Sequence, residues 1–356
     1  MYRVELSYDL VSEGEPQPGI RNRLVTELEA IRQEQSLQKA AKKLGVSYRY
    51  LWGSVEDWEK KFGSRLIIRE QGRPARLSPL GERLLWAEHT VKARHSIELA
   101  KIKSELTSAF AMAQDPDAAV LRFGGCFDPW IAQLPAALFP EGTVLMLDFT
   151  TSLKGLKDMA AGKCDIAGFN FPLGAGKSSA AAASFAGVLN PALHEACRFC
   201  LRSQGLAVAP GNPHGIASIG DVVAKNLRYA GRQPGSGTSV LLHDLLVKEN
   251  LDPAALDSPA LTEQSHRAVA TAVASGKADA GLCVASAAKA SGADFVPLAS
   301  ESYCLAWRKT IDKSLIGRLL GAISKDAWKG TASHIAGVDA WRCGEKLDLK
   351  TLGWWN

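Results

Sequence analysis

The feature that most constrains this chain is a pair of short helices divided by Gly45. Ser36 precedes Leu37-Gln38-Lys39-Ala40-Ala41-Lys42-Lys43-Leu44, and a serine there suits a helix cap. Leu37, Ala40, Ala41 and Leu44 recur at i, i+3, i+4 and i+7, so they form one buried face. Gly45 ends that helix, Val46 plugs the core, and Ser47 caps a second helix from Tyr48 to about Phe62. Leu51, Val55, Trp58 and Phe62 keep the inward spacing, which leaves Tyr48, Arg49, Trp52 and Gly53 on the outward side near its start. Trp52 suits either an exposed groove contact or the core. Helix, glycine turn and second helix describe a helix-turn-helix, whose second helix leads into a major groove with its N-terminal residues.

A strand over Leu66-Ile67-Ile68-Arg69 follows, then a basic turn over residues 70–76, a return strand from Leu77, and Ser78-Pro79 at the next helix start. This is a wing, with Arg73 and Arg76 at its tip placed for phosphate or the minor groove. Taken singly, each cation here suits a solvated surface. Together, Leu37 to Leu77 hold ten basic and four acidic residues, an excess larger than the +5 of the whole chain. The DNA-contacting candidates are Ser36, Ser47, Tyr48, Arg49, Trp52, Arg73 and Arg76.

With 356 residues the chain exceeds one ordinary core. We expect a DNA-binding domain over 1–80, a linker and dimerisation helix over 81–115, and a ligand-sensing domain over 116–356. Residues 2–10 read as a strand and 12–16 as a polar turn. Arg83 to Met112 carries regularly spaced apolar residues with no Gly or Pro, predicting a helix about 45 Å long. A partner helix is the expected cover; folding back on its own domain is the alternative.

Beyond Pro116, apolar runs alternate with helical patterns and Gly or Pro turns, an α/β texture. Val120 to Gly125 is a strand leading to Asp128; Leu145 to Phe149 is another, followed by Thr150, Thr151 and Ser152 at a helix start. Residues 227–230 form a further strand, and Arg232-Gln233-Pro234-Gly235-Ser236-Gly237-Thr238 leads from it into a helix. Glycines expose backbone N–H groups, Ser236 and Thr238 add hydroxyls, Arg232 adds a cation, and the helix dipole favours negative charge. Gly125, Asp128, Thr150, Thr151, Ser152, Arg232, Ser236, Gly237 and Thr238 are therefore the ligand-binding candidates, for a small anion. Each loop also suits a plain strand-to-helix turn. Asp165 and Asp279 recur in matching Gly-Lys-x-Asp turns and are expected to hold them.

His194, His214 and His266 lack metal-ligand spacing, so no metal is expected, and surface or capping roles suit them better. Cys197 and Cys200 suit buried free thiols, with a thiol switch as the alternative. No nucleophile–base motif, P-loop or GxGxxG marks an enzyme, and none is expected. Seven irregularly spaced cysteines, no export signal and no membrane-length apolar run suggest a cytoplasmic protein with no membrane partner.

Residues about 20–90 resemble the N-terminal domain shared by LysR-type and molybdate-responsive regulators, Ala40 to Tyr48 and the Trp52 position resembling the latter more closely, and Leu66-Ile67 with Leu77 to Gly81 resembling the shared wing and linker-helix start. Residues about 118–356 resemble a type II periplasmic-binding-protein fold. The recognisable pieces are Asn212-Pro213-His214-Gly215-Ile216, the loop from Arg232 to Thr238, and His266-Arg267-Ala268-Val269-Ala270. The resemblance implies a winged helix-turn-helix plus long linker helix, then a two-lobed type II periplasmic-binding-protein-like α/β domain. It implies a transcriptional regulator acting as a homodimer or dimer of dimers on a double-stranded DNA operator, answering to a small-molecule effector. No cofactor is expected, a bound oxyanion such as molybdate or tungstate apart. The known molybdate-responsive regulators sense with a smaller β-domain that is not visible here. A regulator without a live ligand site, and an enzyme or binding protein using the same cleft, are the rival readings.

Overall fold

A computed structural model of the chain describes residues 22–70, 73–233, 236–257 and 259–355. The strand expected over residues 2–10 and its turn, the wing residues Gln71 and Gly72, and the loop residues Pro234 and Gly235 lie outside the described residues. The chain divides into two compact units, one ending at Lys92 and one beginning at Ala93.

The first unit opens with α1 (Arg23–Glu34), capped by Asn22, whose Oδ1 accepts from Leu24 N at 2.9 Å. Then come α2 (Leu37–Leu44) and α3 (Tyr48–Phe62), the strands β1 (Ile67–Ile68) and β2 (Arg76–Leu77), and the start of α4 (Pro79–Arg94). Ser36 and Ser47 cap α2 and α3 through Lys39 N and Tyr50 N, and Gly45 ends α2 with φ 67°. That left-handed conformation favours glycine. β1 and β2 pair antiparallel as Ile67 with Leu77 and Ile68 with Arg76, making the expected wing. Leu28, Ile31, Ala40, Leu51, Leu66 and Leu85 form the centre of the core. Gly81 permits close packing, since a Cβ there would lie 2.4 Å from Leu66 O.

The helix expected over Arg83 to Met112 is divided: α4 stops at Arg94, His95 is non-helical, and α5 runs Ser96–Gln114. Within the second unit α5 lies on β4 (Thr143–Phe149), the terminal strand of the large sheet. Ser104 Oγ accepts from Leu147 N at 3.2 Å and Ser108 Oγ donates to Leu145 O at 3.3 Å. Two buried hydroxyls thus satisfy backbone groups that an edge strand leaves unpaired, which blunts the edge. Periodicity alone registered neither the break nor these serines.

The rest of the second unit comprises β3 (Ala119–Gly125), α6 (Leu134–Leu138), α7 (Ser152–Ala160), β5 (Ile166–Pro172), α8 (Ala180–Phe185), β6 (His194–Val208), α9 (Ile219–Ala224), β7 (Tyr229–Arg232), α10 (Gly237–Lys248), β8 (Leu261–Glu263), α11 (His266–Ala274), β9 (Ala280–Val284), α12 (Ala285–Ser291), β10 (Asp294–Arg308), α13 (Lys313–Ser324), α14 (Asp326–Thr331), β11 (Val338–Asp339) and β12 (Lys346–Leu347). The sheet order is β4-β3-β5-β10-β6-β9-β7-β8, with β11 and β12 also pairing β6. β6 and β10 run antiparallel to each other along nearly their whole lengths. β10 pairs β5 only from Glu301 to Trp307, and β6 pairs β9 only from Gln204 to Val208. Both long strands therefore leave one lobe and enter the other near Arg202 and Glu301. The lobes are βα units with matching corners: Asp165 accepts from Arg122 N, Nε and Nη2, and Asp279 accepts from the same three atoms of Arg228. Both aspartates hold turns, as expected from the repeated motif.

Candidate functional sites

At the start of α3, Tyr48 and Tyr50 are 49% and 44% exposed, and Arg49 is exposed beside them. Ser36 and Ser47 act as caps, their hydroxyls taken up by the backbone. Trp52 is half-buried against the core, stacks on Tyr48 with ring centroids 6.2 Å apart, and carries Arg69 over its ring at 3.2 Å. Arg73 and Arg76 are exposed on the wing, and both pair with Glu70. Sequence reasoning missed Arg23, whose guanidinium lies 4.3 Å from the Tyr50 ring centre. This brings a further cation beside the exposed start of α3.

In the second unit, a buried polar network occupies the point where the long strands change lobes. Arg202 is 4% exposed; its Nη1 donates to Asp128 Oδ2 at 3.0 Å, and its Nη2 lies 2.5 Å from Glu301 Oε1. Burial opposes the Arg202 charge, and Glu301 and Asp128 more than offset it, so the guanidinium is held above its ordinary value. Glu301 Oε2 accepts from Asn170 Nδ2 at 2.7 Å and from Gln204 Nε2 at 2.8 Å. Asn170 Oδ1 accepts from Ser152 Oγ at 3.0 Å, and Ser152 Oγ lies 3.2 Å from Cys126 Sγ. The network thus reaches from the crossing strands to the start of α7.

Further polar groups near this network come from β7, α10 and α11. Arg232 Nη2 donates to Gln264 O at 2.9 Å and Nε to Gln233 Oε1 at 3.2 Å. Among the described residues it has no carboxylate partner, and burial pulls its pKa down from the ordinary value. Ser236 caps α10 through Ser239 N, Gly237 is exposed, and Thr238 is buried. A Cβ on Gly237 would lie 3.8 Å from Asn170 Nδ2, so α10 begins beside the network that reaches α7. His266 is the first residue of α11, with Nδ1 buried and unpartnered. Burial first, then the charges of Arg232 and Arg202, push its pKa well below 6.5.

The predicted ligand residues divide accordingly. Ser152 joins the network through Asn170, and Gly237 begins α10 beside Asn170, while Arg232 ends β7, Ser236 caps α10 and Thr238 is buried in its first turn. Thr151 is the cap of α7, bonded to Lys154 N, and Thr150 N donates to Gly125 O. Gly125 supports a close strand approach, since a Cβ there would meet Gly168 backbone at 2.6 Å. Asp128 is committed to Arg202 and to the Trp130 and Ile131 N–H groups. Asn170, Arg202, Gln204, His266 and Glu301 were not singled out. Isolated polar residues within the apolar stretches of β6 and β10 were the available signal. Cys197 and Cys200 are buried, and burial pushes both thiols up.

Comparison with known proteins matches two parts of the chain. Residues 137–324 match the PBP superfamily domain, and residues 23–82 match the bacterial regulatory helix-turn-helix protein of the lysR family. YvgK of Bacillus subtilis (strain 168), an uncharacterized protein, is 31% identical over 206 residues, covering 56% of this chain and 64% of that protein. The chain thus spans under two thirds of that relative. Among solved structures, full-length BenM is 16% identical over 88% of this chain and 96% of its own, with a TM-score of 0.43. Full-length CbnR in complex with its target DNA is 17% identical over 85% and 98%, with a TM-score of 0.41. No helix among the described residues is long and apolar enough to cross a membrane.

Proposed function

The chain belongs to the PBP superfamily through residues 137–324, with a LysR-family helix-turn-helix ahead of them, and from that premise we propose that it is a LysR-type transcriptional regulator. The winged unit grips an operator, and the two-lobed unit binds a small effector that modulates the grip. The observation that carries this reading is the exposed start of α3, where Tyr48, Arg49 and Tyr50 project from a serine-capped helix. Arg49 and its neighbours meet base edges, while Arg73 and Arg76 meet phosphates.

The effector is a small anion, the class to which molybdate and tungstate belong. Arg232, half-buried and without a carboxylate partner among the described residues, supports that choice, together with the α7 and α10 starts. The reading assigns the chain no catalytic role and no resident cofactor, and places it in the cytoplasm.

Control passes through Glu263 to His266. His266 borders the site, while Ser265 Oγ donates to Ala93 O at 3.0 Å and Glu263 pairs with Arg94 at 3.3 Å. Effector binding therefore pulls on the residues that precede the break at His95. Ile102 and Phe110 are 55% and 40% exposed on α5, apolar surface that a second copy would cover in a homodimer.

Electrophoretic retardation of the duplex upstream of its own gene tests the proposal, followed by footprinting. Two protected half-sites about one helical turn apart are expected. Failure to retard that duplex or any other at low ionic strength contradicts it.

A further inference from the structure

Buried polar groups nearly always have partners, because an unmet one has lost its water without replacement. Among the described residues, the buried atoms without a hydrogen-bond partner include Arg202 Nε, Gln204 Oε1 and Glu301 Oε1 where β6 and β10 change lobes, the last of them ion-paired with Arg202, and His266 Nδ1 at the start of α11. Arg202 and Gln204 are 4% and 2% exposed. Each atom has a defined chemical sense. Arg202 turns Nη1 to Asp128 and Nη2 to Glu301, and its Nε–H donor has no partner. Gln204 donates its amide nitrogen to Glu301 Oε2. A carboxylate accepts readily, so the nitrogen faces Glu301 and the unpartnered atom is the carbonyl oxygen, an acceptor.

Charge is distributed unevenly around these atoms. On the strand side two carboxylates, Asp128 and Glu301, share the single guanidinium of Arg202. Arg232 has no carboxylate partner among the described residues. The helices α7 and α10 begin near Asn170, adding N-terminal dipoles. Arg232 favours a negative group, and on the strand side Gln204 Oε1 calls for a hydrogen-bond donor while Arg202 Nε–H calls for an acceptor.

We propose that the site between the lobes takes a small ligand that joins a negatively charged group to its own hydrogen-bond donor, namely a monohydrogen oxyanion or a carboxylate bearing a hydroxyl or ammonium group. The negative group meets Arg232 and the helix starts, and the donor meets Gln204 Oε1. This rests on the effector reading above and narrows it. Sulfate, molybdate and tungstate in their fully deprotonated forms offer only acceptors, which suit Arg202 Nε–H and leave Gln204 Oε1 without a donor.

Isothermal titration of the full chain at neutral pH tests this with probes of matched shape: inorganic phosphate against sulfate, and L-lactate or L-alanine against propionate. The donor-bearing member of at least one pair is expected to bind tighter by about tenfold or more. Gln204→Leu is expected to abolish that preference while anion binding persists. Equal or tighter binding of sulfate and propionate overturns the inference and leaves the effector reading standing. A preference that survives in a folded Gln204→Leu chain overturns it too. If none of the five probes binds at about 10 mM, both fall. Should Gln204→Leu fail to fold, the wild-type comparison decides alone.

Discussion

Arg202 meets Glu301 across the two strands that change lobes, its Nη2 lying 2.5 Å from Oε1, with both side chains 4% exposed. Asp128 closes the cluster from the other side at 3.0 Å. Removing the cation leaves two carboxylates buried together. Arg202→Met is therefore expected to destabilise the chain by about 3–5 kcal/mol, read from a denaturant midpoint. A loss below about 1 kcal/mol would mean that the cluster is solvated and does not hold the crossing together.

The wing makes a prediction about salt. Arg73 and Arg76 are exposed, and both lean on Glu70. If they exchange that partner for phosphates, removing them weakens binding to all duplexes alike. The double variant Arg73→Ala with Arg76→Ala should lower the slope of log affinity against log salt by about 2. An unchanged slope would place the wing away from the duplex.

The start of α10 separates sensing from DNA binding. Ser236 caps the helix, Thr238 is buried in its first turn, and neither belongs to the winged unit. Ser236→Ala with Thr238→Val should abolish the shift in operator affinity on adding an anion and leave basal affinity within about twofold. Loss of the cap lowers stability by about 1 kcal/mol. Loss of basal DNA binding in a folded variant would assign these residues to architecture.

His266 sets a pH dependence with a definite sign. Its folded value lies well below 6.5, chiefly through burial and then through Arg232 and Arg202. Unfolding exposes the imidazole, so the unfolded chain binds a proton that the folded chain refuses. Stability is thus intact above the unfolded value and is lost as pH falls below about 6.5. His194, lowered by burial, Arg308 and Lys309, adds to the same slope. Urea midpoints measured from about pH 7.5 down to 5.5 should fall less steeply in His266→Asn than in the wild type. A variant slope as steep as the wild type's would show that His266 is solvated.

The two lobes and the winged unit were legible because their signals are local. Ser36, Gly45 and Ser47 act within three residues of the backbone they cap or turn. The corners of Asp165 and Asp279 repeat one short motif. The inter-lobe network was not legible, because its partners are distant in sequence: Arg202 and Asp128 are 74 residues apart, Gln204 and Glu301 are 97, and Asn170 and Glu301 are 131. His266 looked like a cap or surface residue because nothing near it in sequence shows that Arg232 and Arg202 approach it. The break at His95 carries no Gly or Pro, and the backbone contacts of Ser104 and Ser108 arise only once β4 is in place.

The claim on which the account depends is that the first turn of α3 reads DNA sequence. Fluorescence anisotropy with the footprinted duplex and a scrambled duplex of equal length, for the wild type and for Arg49→Ala, measures this directly. The account predicts that Arg49→Ala costs about 1–3 kcal/mol on the footprinted duplex and much less on the scrambled one, so the affinity ratio collapses. Equal losses on both duplexes would show that Arg49 only neutralises phosphate, and would contradict the claim.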